Sequence, residues 1–393
     1  MYIQQKLAGL FVSLCFTAAA GAACIPGNNP GMIQTELNAG RNAVLCPNTT
    51  YNITSPIRFT VNAQQLYTEG LPGGATRAKI KIASSLITNA INGLDKSDIV
   101  IRNVIVDGSR LQYGYARPSS EPLIWIGGNA ARQKVLATEA FEPRGWTALQ
   151  VYHGNYSWNG SAWTGGCSAA RIENVFIHDA GDINTGPYWA DGISLSCLNS
   201  HVVGNIIEDA TDGGIVIFGS PGSIVEWNTL RNIDRNGLGG INMVDTTYRR
   251  SVVVNGVVYD VGDFSNTIVR HNTVEANAPG CGSSCPINLH IGIAMGPRTW
   301  WCSPPNNVVW AYGGKVQNNQ ITGNAFEHGV LADGVVGWEV TGNTSSAYFF
   351  GFSYGSKCGG SNLANAFVRH PAHALGTFQS NFISGQGHHA HPY

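Results

Sequence analysis

Two aspartates open the case for chemistry. Asp191 stands in Trp189-Ala190-Asp191-Gly192-Ile193-Ser194-Leu195-Ser196-Cys197, and Asp212 follows 21 positions later in Ala210-Thr211-Asp212-Gly213-Gly214-Ile215-Val216-Ile217. Each precedes glycine and a short run of β-forming apolar residues, which reads as a strand. If the two runs are neighbouring parallel strands, their carboxyl groups lie side by side at about the 5 Å interstrand spacing. Two carboxyl groups that close do not both ionise easily, and the less solvated one keeps its proton. A protonated acid beside a carboxylate is what glycosidic cleavage needs: one protonates the leaving oxygen while the other activates water or attacks the sugar. Asp before Gly also suits a tight turn, so the assignment depends on the elements that hold the pair.

Other residues are candidates for binding substrate in the same cleft. His178 and Asp182 precede Asp191, Arg235, Asp245 and Tyr248 follow Asp212, and Arg298 lies in Gly296-Pro297-Arg298. Their plainer reading is as turn residues or structural ion pairs. Glu327-His328 also precedes a strand, without a second carboxylate beside it. The cysteines after Ala23 show no C-x-x-C spacing of the zinc type, so no metal centre and no cofactor is expected. His388, His389 and His391 read as a frayed tail.

The elements that position these residues repeat. Val-x-x-Asn-x-apolar recurs at Val100 to Asn103, Val202 to Asn205, Val225 to Asn228, Val269 to Asn272 and Val316 to Asn319, with weaker copies at Asn174 and at Val340 to Asn343. A second unit, Gly followed by an apolar residue, interleaves at Gly192, Gly214, Gly240, Gly292, Gly329 and Gly351. Such short strands are too small for an ordinary sheet, but stacked coil on coil they bury one continuous core. The expected fold is an all-β, right-handed parallel β-helix, a solenoid of at least seven coils between about residues 95 and 355, with residues 24 to about 95 as an N-terminal cap and early coils. Asn at one fixed place per coil implies a buried ladder of side-chain amides. Residues 111 to 166, rich in aromatics, and a hairpin over Val252–Tyr259 with an Asn-Gly turn read as insertions. Both are expected to wall the groove around the aspartates.

The N-terminus reads as an export signal. Lys6 and an apolar run from Leu7 to about Ala20 precede small residues, so a signal peptide over 1–23 and a single domain over 24–393 are expected. Eight cysteines remain, and proximity pairs Cys24 with Cys46 and Cys167 with Cys197, leaving Cys281, Cys285, Cys302 and Cys358 open. Asn48, Asn52, Asn155, Asn159 and Asn343 begin Asn-x-Ser/Thr sites, with Asn343 doubtful as a glycan acceptor because the ladder would bury it. The chain is 12% charged with a net charge of −1 and no basic stripe, which excludes nucleic acid as a partner. No later stretch is long and apolar enough to span a membrane, so a secreted, extracellular monomer acting on a polysaccharide or oligosaccharide is expected.

The repeat resembles that of the pectin-lyase-like superfamily of single-stranded right-handed β-helices, which holds both hydrolases and lyases. Polygalacturonase-type hydrolases are similar around the aspartates: Asn-Thr-Asp, then Asp-Asp one coil later, then Gly-His-Gly and Arg-Ile-Lys. Asp191 matches the aspartate of the first motif and Asp212 the first of the second. Gly213 replaces the second Asp, Gly237-Leu238-Gly239 has no His, and Arg298 is only a distant substitute for the last motif. The resemblance therefore implies a glycoside hydrolase using Asp191 and Asp212. Two alternatives stand beside it: a polysaccharide lyase with an Arg, Lys or Tyr base, for instance Arg235, Arg249, Arg270 or Arg298, and possible Ca²⁺; and a non-catalytic carbohydrate-binding solenoid.

Overall fold

Three long sheets of parallel strands wind around one core. The computed structural model describes residues 23–116, 120–182, 188–244, 247–277, 288–301, 309–351 and 364–385. The expected signal peptide, Asp245, the last four cysteines and the terminal histidines lie outside them. Each coil gives one strand to each sheet; Arg171–Glu173, Phe176–His178 and Asp191–Leu195 make one turn, and His201–Val203, Ile206–Glu208 and Gly213–Ile217 make the next. The sheets hold 14, 10 and 11 strands and, among the described residues, are antiparallel only at one hairpin, while a second hairpin forms a two-stranded sheet of its own. The chain thus has the right-handed parallel β-helix fold. None of the described helices is long and apolar enough to cross a membrane.

The repeat is legible in the packing. Val202, Val225, Val269, Val316 and Val340 pair in register and are fully buried. Three residues on, the Asn205 amide donates to Asn228 Oδ1 at 2.8 Å, and Asn228, Asn272 and Asn319 each donate to the next Asn at 2.9 Å, ending on Asn343. Each also donates to a carbonyl of the preceding coil, so the amide donors of the ladder are satisfied. Asn343 is 3% exposed within this ladder, which closes its glycosylation site in the folded protein. The Gly-apolar unit has a steric cause. A Cβ on Gly192, Gly214, Gly240 or Gly292 would stand 2.5–2.7 Å from the carbonyl oxygen of the next glycine in the column.

Four expectations need correction. Asn103 and Asn174 are not ladder members; both have positive φ at the bend, one place before the ladder position, where Asn tolerates left-handed backbone. Gly351 is not in the glycine column, since Gly329 faces the Ala366 carbonyl instead. Regular coils begin at Ala43, and only the helix Gly31–Asn38, burying Ile33 and Leu37, caps them. Residues 111–166 are mostly coil as well: Ile124–Gly127, Lys134–Leu136, Glu139–Phe141 and Thr147–Tyr152 all join the main sheets, leaving the hairpin Tyr156–Trp158 and Trp163–Gly165 as an outgrowth. That stretch was hidden because its coil uses neither the Asn nor the Gly-apolar unit. Disulfides join Cys24 to Cys46 and Cys167 to Cys197, as proximity suggested.

Candidate active site

The third sheet carries the aspartates at the ends of its strands. Thr147 pairs with Asp191, Gly213 with Gly239, Gly239 with Ile291 and Ile291 with His328. The Gly213 N–H donates to Asp191 Oδ1 at 3.2 Å, which places Asp191 against Gly213 rather than against Asp212. Asp212 lies one place earlier, its N–H bonded to the Ala190 carbonyl at 3.2 Å. The carboxyl groups are therefore diagonal neighbours, because Asp212 is followed by two glycines and Asp191 by one before the shared isoleucine column.

Both line one cavity of about 240 Å³ together with Trp146, Val216, Phe218, Leu238, Asn242, Val244, Trp300 and Trp301. Local chain geometry explains most of the wall. Trp146 directly precedes Thr147–Tyr152, and its carbonyl accepts the Asp191 N–H at 2.9 Å. Phe218 follows Gly213–Ile217 and meets Trp146 edge-on at 6.5 Å. Trp300 follows the short turn Pro297–Thr299 and packs on Leu238, Val244, Ile291, Ala294 and Leu331. A side chain at Gly213 would place its Cβ 2.4 Å from Val216 and 2.9 Å from the Asn242 amide. The second aspartate of the polygalacturonase-type motif thus has no room in this chain.

Electrostatics separates the two acids. Burial, reinforced by the charge of Asp212, pushes the Asp191 carboxyl well above the usual carboxylate range, against the opposing Ser194 and Gly213 hydrogen bonds. Ser194 Oγ lies 2.7 Å from Asp191 Oδ2 and 2.9 Å from Thr147 Oγ1, which fixes the Asp191 rotamer. Asp212 is less buried than Asp191, and desolvation raises it to about 6. Both carboxyls are thus held above the usual range, Asp191 the more strongly, and the pair titrates as a unit. Burial and then the charges of Asp212, Tyr188 and Asp191 also raise the Tyr115 phenol, whose ring stacks on Tyr188 at 4.4 Å beside the pair.

The other sequence candidates are elsewhere. Arg235 binds Asp179 at 2.7 Å, Glu142 at 3.4 Å and the Gly181 carbonyl at 2.6 Å, while Arg110 binds Glu142 at 2.8 Å and Asp182 at 3.1 Å. Asp182 exchanges backbone hydrogen bonds with Tyr188, so this network holds the segment leading into Asp191 without lining the cavity. His178 bonds Asp179 at 2.6 Å and packs between Phe141 and Phe176. Burial alone would lower its pKa, but the hydrogen bonds to Asp179 and Glu139 outweigh that and hold it at about 9. Tyr248 is fully buried, its hydroxyl donating to the Ser196 carbonyl at 2.8 Å, and burial raises its pKa far above a base's range. Arg298 stands 3.4 Å from the buried Asp333. None of these five lines the cavity.

The expected walls are corrected too. The hairpin is real, extending over Arg249–Val254 and Val257–Asp263 with positive φ at Asn255 and Gly256, but it adds to the first sheet through Trp310–Tyr312. Trp158 and Trp163 line a second cavity with Arg250, which lies 4.7 Å over the Trp158 ring and binds Asp263. Of the 111–166 aromatics only Trp146 lines the groove; the rest of its aromatic wall comes from Phe218, Trp300 and Trp301, and the floor includes Asn242, none of which sequence reading singled out. Asn242 was discoverable as the outward neighbour of the Gly240-Ile241 unit, in register with Val216. Glu327 is buried 2.9 Å from His290 and belongs to a different place on the sheet.

Among the described residues, Asp333, His370 and His373 form one group whose ligand atoms lie within 4.8 Å of one another. His370 Nδ1 accepts the backbone N–H groups of Ala372 and His373, which leaves the proton on Nε2, and Arg298 already faces Asp333. A single carboxylate beside a guanidinium does not supply the roughly six to eight oxygens that calcium takes.

Comparison with known proteins agrees with the fold. No known family and no curated protein matches the chain. Among solved structures, the catalytic domain of a GH87 α-1,3-glucanase in complex with tetrasaccharides aligns at 10% identity and TM-score 0.52, over 94% of this chain and 68% of that one. The mannuronan C-5 epimerase A-module of Azotobacter vinelandii aligns at 13% identity and TM-score 0.48, over 93% and 96%. An exopolygalacturonase from Thermotoga maritima aligns at 13% identity and TM-score 0.43, over 82% and 85%. The chain shares the right-handed parallel β-helix fold with these structures and is distant from each of them in sequence.

Proposed function

We propose that this protein is a glycoside hydrolase of polysaccharides or oligosaccharides, with Asp191 as proton donor and Asp212 as the carboxylate. The observation that carries the reading is two carboxyl groups of unequal exposure in one aromatic-walled cavity. Tryptophan and phenylalanine faces suit the apolar faces of sugar rings. Asp191 protonates the leaving glycosidic oxygen, and Asp212, more open to solvent, activates water or attacks the anomeric carbon. Among the described residues no Arg, Lys, His or Tyr lines the cavity, Tyr248 is sealed away and the nearby Tyr115 phenol is raised further from a base's range, which favours hydrolysis over elimination. The β-helix neighbours named above include a glucanase and a polygalacturonase, in keeping with a carbohydrate-active role. The two disulfides suit an oxidising, extracellular setting.

A panel of cell-wall glycans, with product mass measured, tests the reading. Hydrolysis is expected, with new reducing ends and no unsaturated product. Asp191→Asn and Asp212→Asn should each lower kcat by about a hundredfold or more, the usual contribution of a positioned acid or base. Near-normal rates in both, or unsaturated products, would refute it.

A further inference from the structure

We infer that the cavity takes a neutral sugar ring and discriminates against uronic acids, with the Asn242 amide oxygen accepting one of the sugar's hydroxyls. This rests on the hydrolase reading of the same site and goes on to name its substrate class. The first observation is the lining. Its ten residues are two carboxylic acids, one amide and seven apolar side chains, with no cation among the described residues. A uronate carboxylate entering there would meet the acid pair and find no guanidinium or ammonium among the described lining residues to answer it. Arg235 and Arg298, the arginines expected to bind substrate, are held by carboxylates outside the cavity, as is Arg250. Consistently, neither Asp191 nor Asp212 is drawn down by any positive charge; the one charge acting on Asp191 is that of Asp212.

The second observation is Asn242. It is 3% exposed and lines the cavity, and its buried Oδ1, which faces Gly239, has no hydrogen-bond partner among the described residues. Glycines on its own strand and on the coil before it leave room for it: a Cβ on Gly239 would stand 2.0 Å from Oδ1 and one on Gly213 2.9 Å from the amide nitrogen. A buried amide oxygen without a donor is a group that folded proteins rarely retain. A hydroxyl donates to it; an ionised carboxylate has no proton to donate. A neutral ring thus meets a waiting acceptor, and a uronate meets repulsion. A carboxylate about 6 Å from one ionised aspartate, at an effective dielectric near 20, loses on the order of a hundredfold in affinity.

The test uses wild-type protein and pairs of oligosaccharides differing only at the sixth carbon: oligouronates and their carboxyl-reduced counterparts, beside neutral glucan, galactan, xylan and mannan oligosaccharides. Binding is read at neutral pH from the fluorescence of Trp146, Trp300 and Trp301, and turnover from product mass. Neutral or reduced chains should bind, with the matching uronate weaker by on the order of a hundredfold. Asn242→Ala should weaken neutral binding about tenfold, the effect of one lost hydrogen bond, while the wild-type panel stands on its own should that variant fold poorly. Uronates bound as well as their reduced forms would overturn the inference and leave the acid pair to the Asp191→Asn and Asp212→Asn assays. Neutral binding without any cleavage would keep the substrate class and remove the hydrolase. Binding of nothing in the panel would overturn the inference as well.

Discussion

The acid pair makes the folded protein weaker at neutral pH, and Asp212→Asn should show it. Desolvation raises the Asp212 carboxyl from 3.8 to about 6. The folded state therefore holds that proton more tightly than the unfolded chain does. Below pH about 4 both states are protonated and the site costs nothing; as pH rises through about 6 the unfolded chain has already ionised, and the stability that protonation supplied is lost. A shift of this size corresponds to about 3 kcal/mol at full deprotonation, an upper value because solvent reaches part of Asp212. Asn has the same shape and does not titrate, and it also removes the charge that raises Asp191. Chemical denaturation of wild type and Asp212→Asn should give nearly equal stability near pH 4 and a more stable variant near pH 8, with the gap approaching about 3 kcal/mol. An offset independent of pH, or a variant less stable at pH 8, would mean that the fold welcomes the ionised carboxylate, and the argument for a strained acid pair would fail.

Two further outcomes follow from the same geometry. Asn272→Ala removes four ladder hydrogen bonds and strands the Asn228 N–H and one amide donor in the core, so a loss of about 2–5 kcal/mol is expected in denaturant titration, against about 1–2 kcal/mol for Asn103→Ala, which loses one bond to the Pro72 carbonyl and the left-handed tolerance of Asn. Tyr248→Phe removes only the hydroxyl bonded to Ser196; turnover should persist, and its loss would point to the tyrosine as a base and revive the lyase reading.

The fold was legible because its repeat has a physical cause at each position: valine fills the core, asparagine bonds the coil above, and glycine admits the next backbone. Asn103 and Asn174 misled because asparagine serves two purposes, ladder amide and left-handed bend, and spacing differs between them by one residue. The acids were legible as a pair but their register was not, since one added glycine moves Asp212 to a diagonal place. Trp300 and Trp301 were invisible as wall residues because they follow a turn that the repeat does not encode. His178, Asp182 and Arg235 were near in sequence yet serve the bend behind the site, since ion pairs between coils form wherever bends stack.

That added glycine carries more than a register shift. With Gly213 against Asp191, the Asp191 carboxyl keeps a backbone donor and the floor beside it stays open for Asn242. Any larger residue there would close on Val216 and Asn242, so a third acid is excluded by the same space that admits the amide. A site with two acids, one amide and aromatic walls differs from one built for uronates in its charge balance, although the scaffold beneath is the same. The coils fix where side chains stand; the identity of a few outward residues in the third sheet then decides which sugar the scaffold accepts.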